Sequence, residues 1–214
     1  MSKRELHPTM SHPSETICSM CRLFYVNKWV LGTGGGIGIK QDHFAYISPS
    51  GIEKELMEPE QIIKYDIQTD TYESGAGGLK PSACTPLFLE LFKALGASCV
   101  IHTHSINAVL CSAIYENEFN ITDVEQIKAM PKGDGTNLRN VDTLRIPIID
   151  NAPEEQDLMP ALEKMTKEYP NACAVLVKRH GLFVWGPTPK KAKIYIESID
   201  YLLEVALKLR QLGI

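Results

Sequence analysis

The sequence predicts an α/β protein, helices layered on strands, in one domain of 214 residues. Three observations carry that expectation. Short runs rich in β-branched residues, "SCVIH" at 98–102, "TLRIPII" at 143–149 and "CAVLV" at 173–177, alternate with helical apolar spacing at 105–114, 123–130 and 154–168. Ahead of them, "IGIK", "QDH" and "FAYIS" (37–48) read as a strand, a short connection and a second strand, a hairpin ending at the turn "PSG". Behind them the chain closes on one long amphipathic segment.

Taken in order, residues 1–13 carry two prolines, two histidines and little apolar content, so they read as a mobile tail, and 14–214 as the single domain. Ser14 is a good N-cap for a helix through "ETICSMCRLFYVNKW", which "LGTGGG" then breaks. After the hairpin, "IIKYDI" predicts a third strand, and the Gly-, Ser- and Thr-rich "TDTYESGAGGLKPSA" (69–83) a surface loop. "TPLFLELFKAL" predicts a helix capped by Thr85 with Pro86 in its first turn. The last helix starts at Thr188 and Pro189 and repeats apolar residues from Ala192 and Tyr195 to Ala206 and Leu209.

Composition bounds the function. With 44% hydrophobic and 22% charged residues the chain is neither disordered nor fibrous. The net charge is -4 and the 22 basic residues are scattered, which argues against nucleic acid and anionic lipid and for a small-molecule partner. No apolar run reaches the ~18 residues of a membrane span, and the polar start lacks the apolar core of a signal peptide, so a cytoplasmic protein is expected. The six cysteines lie mostly within apolar segments, as reduced core thiols do.

The chemistry concentrates in "VIHTHS" (100–105). On a strand, alternate side chains share a face, so His102 and His104 project together about 7 Å apart. Two imidazoles at that spacing can lean toward one ion, and an open catalytic site needs a third ligand from another element. His7 and His12 lie in the tail and His43 in the hairpin connection, which leaves His180, at the end of an apolar run and followed by a glycine. Spacing alone leaves hydrogen-bonded core histidines as the alternative.

Other candidates are weaker. "GTGGG" fails the dinucleotide fingerprint, because the sixth position is isoleucine from either starting glycine and a strand follows where a helix is required; no P-loop lysine follows either. Gly34, Gly35 and Gly36 form either a phosphate-cradling nest or a flexible turn. The turns "SPSG" (48–51) and "KPSACT" (80–85) offer hydroxyl and amide donors for phosphate. Cys18 and Cys21, at helical spacing with no second pair, read as packed thiols. Glu125 is one of 26 acids, and nothing in the residues themselves selects it.

Together "GTGGGI" (32–37), "SPSGIEKE" (48–55), "CTPLF" (84–88), "VIHTHS" (100–105), "EQIK" (125–128), "PIIDNAPEEQDL" (147–158) and "AVLVKRHGLFVWG" (174–186) resemble the class II aldolase and adducin superfamily. The resemblance runs from about residue 15 onward. It implies a three-layer α/β/α domain with a central, mainly antiparallel sheet, a homotetramer with active sites between subunits, and one zinc per subunit on His102, His104 and His180. Aldolases of the superfamily carry a glutamate in P-S-S-E where this chain reads "PSAC", ending in Cys84. The departure counts against aldol cleavage and points to the branch that dehydrates 5-methylthioribulose 1-phosphate to 2,3-diketo-5-methylthiopentyl 1-phosphate in methionine salvage. There the resemblance implies Glu125 as acid and base, a zinc-stabilised enediolate and Cys84 at the substrate. Gly35, Gly36, Ser48, Ser50, Gly51 and Ser82 are then the expected phosphate neighbours. Two alternatives stand beside this: an aldolase or epimerase on another sugar phosphate, and a non-catalytic adducin-like binding protein, which has no need of three intact ligands.

Overall fold

A computed structural model describes residues 12–214, so all but the last two residues of the expected tail lie outside the described residues. Helix α1 (Pro13–Val26) starts one residue ahead of the predicted cap; His12 is the N-cap, its ring nitrogen accepting the Ser14 N–H at 3.3 Å. Proline is at home in a first turn because its missing N–H has no partner to lose there. The glycine loop follows, then the expected hairpin of β1 (Gly36–Gln41) and β2 (Phe44–Ile47), with β3 (Ile63–Asp66) beside it.

Inside the segment read as a surface loop, Thr71–Glu73 pairs with β3 as an exposed edge strand, β4. Its three residues are too few to show a period. Helix α2 (Thr85–Ala94) has Cys84, not Thr85, at its cap; the Thr85 hydroxyl donates to the Ser82 carbonyl at 2.7 Å. Strand β5 (Cys99–Thr103) and helix α3 (Ile106–Ile114) follow as expected. The helical expectation at 123–130 becomes a 3-10 turn, Glu125–Ala129, and ahead of it lies a strand the sequence did not announce, β6 (Glu118–Ile121). After β7 (Leu144–Ile149), the 154–168 segment divides into a 3-10 turn, Glu155–Leu158, and helix α4 (Met159–Glu168), whose first turn holds Pro160. Strand β8 (Ala174–Val177) turns directly into β9 (Gly181–Gly186), and α5 (Pro189–Leu212) closes the chain with Thr188 capping the Lys191 N–H at 3.1 Å.

The nine strands form one sheet in the order β4-β3-β2-β1-β5-β9-β8-β7-β6, antiparallel throughout except for β7 against β8. Alternation of side chains along each strand builds a core on either face. Ile101, Leu182 and Val184 pack with α1, α3 and α5, whereas Val100, Phe183 and Trp185 pack with α2 and α4. That is the expected α/β/α layering. On β1 the second face is glycine: a Cβ on Gly38 would sit 2.9 Å from the Phe88 ring, so α2 lies close on the sheet because that position is bare. Full burial of Phe88, Leu87 and Leu91 contributes about 1.5–3 kcal/mol each to holding α2 there. All six cysteines are buried and unpaired.

Candidate metal centre

Adjacent strand ends bring the three histidines together. His102, on β5, is paired across from Phe183 of β9 and stacks on its ring with centroids 4.1 Å apart. His104 lies just past β5, held by its own N–H on the Trp29 carbonyl at 2.8 Å. Beyond it Ser105 caps α3 and hydrogen-bonds the buried Asp200 of α5, which also accepts from Asn107 at 3.1 Å. This network pins the strand end to α5. His180 sits in the turn from β8 to β9, next to Arg179 with φ of 54°.

Gly181 has a stricter reason to be glycine than the freedom to turn. A Cβ there would lie 2.0 Å from the Thr103 carbonyl oxygen. The turn bearing His180 therefore seats directly against the backbone between the other two histidines. Gly34 plays the matching part from the glycine loop, where a Cβ would meet His104 Nδ1 at 2.7 Å.

The far nitrogens of two rings have partners that set the near ones. His102 Nδ1–H donates to the Leu182 carbonyl at 3.1 Å and His180 Nδ1–H to the Asn151 side-chain oxygen at 3.0 Å, so each Nε2 presents a lone pair. The Nε2 atoms of His102 and His104 are 2.9 Å apart, and those of His104 and His180 3.1 Å. Nitrogens ~2.1 Å from a tetrahedral zinc stand roughly 3.4 Å from each other, close to these spacings. Burial pushes the His102 imidazole down to about 3, helped by the neighbouring His104 and His180, and burial lowers His104 as well. Neutral rings with converging lone pairs suit a cation.

A fourth donor comes from a segment to which the sequence assigned no chemistry. Glu155 Oε1 lies 3.3 Å from His180 Nε2 and 4.0 Å from His102 Nε2, and the four donor atoms fall within 4.8 Å of one another. Burial pushes its carboxyl up, but the contacts with His180, His102 and the Cys84 thiol outweigh it and hold the group below the usual carboxylate range. Its other oxygen, Oε2, is buried with no hydrogen-bond partner among the described residues, which suits an oxygen that meets a cation or a ligand atom. Cys84 hydrogen-bonds the same carboxylate, and its own thiol is pushed up by burial and by the Glu155 charge, so it stays protonated. Three imidazoles and one carboxylate fit a divalent cation.

The phosphate candidates divide. Gly36, Ser48 and Ser82 meet: a Cβ on Gly36 would lie 2.9 Å from Ser48 Oγ and 3.5 Å from Ser82 Oγ. Ser48 Oγ accepts the Ile37 N–H at 3.0 Å and Ser82 Oγ the Cys84 N–H at 3.2 Å. Gly35, with φ of 74°, is pressed against the His102 carbonyl, where a Cβ would come within 2.9 Å, so the cradle borders the histidines. Ser50 and Gly51 lie exposed on the rim. Glu125 is elsewhere. Its side chain is 75% exposed and pairs with Lys128 at 2.7 Å, while Gln126 and Ile127 beside it pack toward α5, on the other face of the sheet from Phe183. Among the described residues of one chain, Glu155 is the acid at the histidines. Its trace in the sequence is the landmark "PIIDNAPEEQDL" (147–158), which carries it two residues beyond Pro153.

Fold and site together define an α/β/α domain with a three-histidine, one-carboxylate cation site at a sheet end. The profile of the class II aldolase and adducin N-terminal domain matches residues 15–207, and the chain belongs to that family. It is 87% identical over 204 residues to a methylthioribulose-1-phosphate dehydratase of Kluyveromyces lactis, covering 95% of this chain and all of that protein. A protein of the same name from Saccharomyces cerevisiae is 49% identical over 212 residues, 95% of this chain and 87% of its own. Among solved structures, an L-fuculose 1-phosphate aldolase superposes with a TM-score of 0.77 at 17% identity, covering 96% of this chain and 89% of that one. The L-fuculose-1-phosphate aldolase of Thermus thermophilus gives 0.72 at 14%, over 94% and 95%. At those identities the shared property is the fold.

Proposed function

We propose that this chain is a hydro-lyase that dehydrates 5-methylthioribulose 1-phosphate to 2,3-diketo-5-methylthiopentyl 1-phosphate, a step of methionine salvage, with zinc as its cation. The observation that carries the reading is 87% identity over the whole length of a dehydratase of that name, in a chain whose His102, His104 and His180 converge. Cys84 supports dehydration over aldol cleavage: a buried, protonated thiol stands where the superfamily's aldolases place a carboxylate.

His102, His104, His180 and Glu155 are the residues that would hold the cation. When bound, it supplies positive charge for the oxyanion that develops at the C2 ketone as C3 is deprotonated. Gly35, Gly36, Ser48 and Ser82 would anchor the phosphate, with Ser50 and Gly51 at the rim, and Cys84 would line the substrate. Glu125 takes the C3 proton; the C4–O bond then breaks, and the departing hydroxyl accepts a proton from the same carboxyl and leaves as water. The enol left between C3 and C4 tautomerises to the 2,3-diketone.

Since Glu125 lies away from its own chain's histidines, it serves those of a neighbouring copy in a homotetramer with active sites between subunits. Helix α3, which starts two residues past His104, supports that assembly: Ile106, Leu110 and Ile114 form one apolar stripe, 68%, 46% and 37% exposed. Six unpaired thiols suit the cytoplasm, and no helix among the described residues is long and apolar enough to cross a membrane.

The deciding experiment supplies 5-methylthioribulose 1-phosphate to the zinc-loaded protein and looks for the diketone rather than a cleaved aldehyde. Glu125→Gln should keep its zinc and lose turnover, and His180→Ala should lose both. Full activity in the glutamine variant would remove Glu125 from the proton transfers.

A further inference from the structure

Lys54 is a lysine with 1% exposure, one of the largest fully buried side chains. Burying an ammonium costs several kcal/mol unless something compensates the charge. Its Nζ donates to two neutral carbonyls, Thr33 at 2.9 Å and Ile52 at 3.0 Å, and neither is a counter-ion. An ammonium has three donors, so one remains.

Its surroundings indicate what the charge is for. The Thr33 carbonyl belongs to the peptide that opens Gly34–Gly36, and the far end of the loop is held by Ser48 Oγ on the Ile37 N–H. One segment, 48–54, thus grips the glycine loop at both ends with two buried side chains, Ser48 and Lys54. Burial lowers Lys54, while the ionisable groups around it, Cys21, Cys84 and Glu55, favour its charged form. Its bond to the Thr33 carbonyl sets it beside the glycine cradle, where the phosphorylated end of a substrate would lie.

We propose that Lys54 is a positioning residue for an organic phosphate: it fixes the glycine loop through Thr33 and supplies the buried positive charge that a phosphate dianion in the cradle requires. The inference rests on the reading of the site as one for a phosphorylated substrate.

The test uses the zinc-loaded protein with inorganic phosphate as the probe. Lys54→Met should weaken phosphate binding at least tenfold and raise KM for the phosphorylated ketose by a similar factor, with kcat within about threefold and zinc content unchanged. Lys54→Arg, which keeps the charge, should recover part of the affinity. A merely structural lysine would instead lower kcat, zinc content and Tm together while sparing phosphate affinity per folded molecule, and that pattern overturns the proposal. Should the methionine variant fail to fold, the wild-type protein labelled with 15N-lysine decides. Phosphate should shift the Lys54 Nζ resonance, and an unmoved resonance at saturation refutes the idea. A wild-type protein that binds phosphate in this way but leaves the ketose unchanged would count against the proposed function and not against Lys54.

Discussion

Gly181→Ala is the sharpest perturbation of the centre, because it adds one methyl group and replaces no ligand side chain. The added Cβ would sit 2.0 Å from the Thr103 carbonyl oxygen, against the 3.4–4 Å of ordinary contact. Relief requires a displacement of about 1.4 Å, the difference between 3.4 and 2.0 Å, by backbone on both sides. The neighbouring rungs, Thr103↔Leu182 and His102↔Phe183, would open with it. Two ladder hydrogen bonds at about 1 kcal/mol each, plus strain, give roughly 2–4 kcal/mol of destabilisation. The effect on metal should be larger. Ligand distances tolerate only ~0.2 Å, so a shift of an ångström in His180 relative to His102 and His104 takes one ligand out of reach. We expect at least a hundredfold loss of zinc affinity in chelator competition and a clear fall in Tm. An alanine variant that keeps one zinc per chain at wild-type affinity would refute this account of why the position is glycine.

Glu155→Gln keeps the shape of the side chain and removes its charge, so zinc should bind roughly tenfold or more weakly, with the visible spectrum of the cobalt-substituted protein altered; an identical spectrum and affinity would exclude Glu155 from the ion. His102 is depressed from 6.5 to about 3 by burial, so as pH falls the unfolded chain takes up its proton first. Metal-free protein should hold its full stability above about pH 6.5 and lose it progressively toward pH 3, by an amount on the order of a few kcal/mol. Urea midpoints at a series of pH values on metal-free protein would show it, and a flat profile over that window would contradict the burial argument. Leu110→Asp places a charge in the middle of the exposed stripe on α3 and should reduce the assembly to smaller species in sedimentation, with the monomer still folded; an unchanged assembly would put the subunit contact elsewhere.

Elements whose stabilising pattern is local were legible in the sequence. The long period of α5 and its Thr188 and Pro189 start, the β1–β2 hairpin and the apolar run of β5 each show within a dozen residues or so. Elements too short to show a period, or defined only by their pairing, were not. Strand β4 has three exposed residues, β6 exists by pairing with β7, and β9 follows its partner β8 after only three residues. Thr85 was placed one residue off as a cap because proline is tolerated at either of the first two helical positions.

The sequence by itself determined the residue types of the centre: two histidines one residue apart at the end of a buried run, and a third before a glycine at the end of another. It also determined the glycines that the chain needs to bring them close. Only the tertiary structure decided that the three Nε2 atoms converge, that Glu155 joins them and that Glu125 does not within its own chain. Convergence depends on which strands lie side by side: β5 pairs with β9 across some 80 residues of sequence, as the His102–Leu182 separation records. No local spacing encodes that pairing, because it follows from burying both faces of the sheet at once. A carboxylate acquires its chemistry from what surrounds it, and the surroundings of Glu155 come from three other segments of the fold, those of Cys84, of His102 and His104, and of His180.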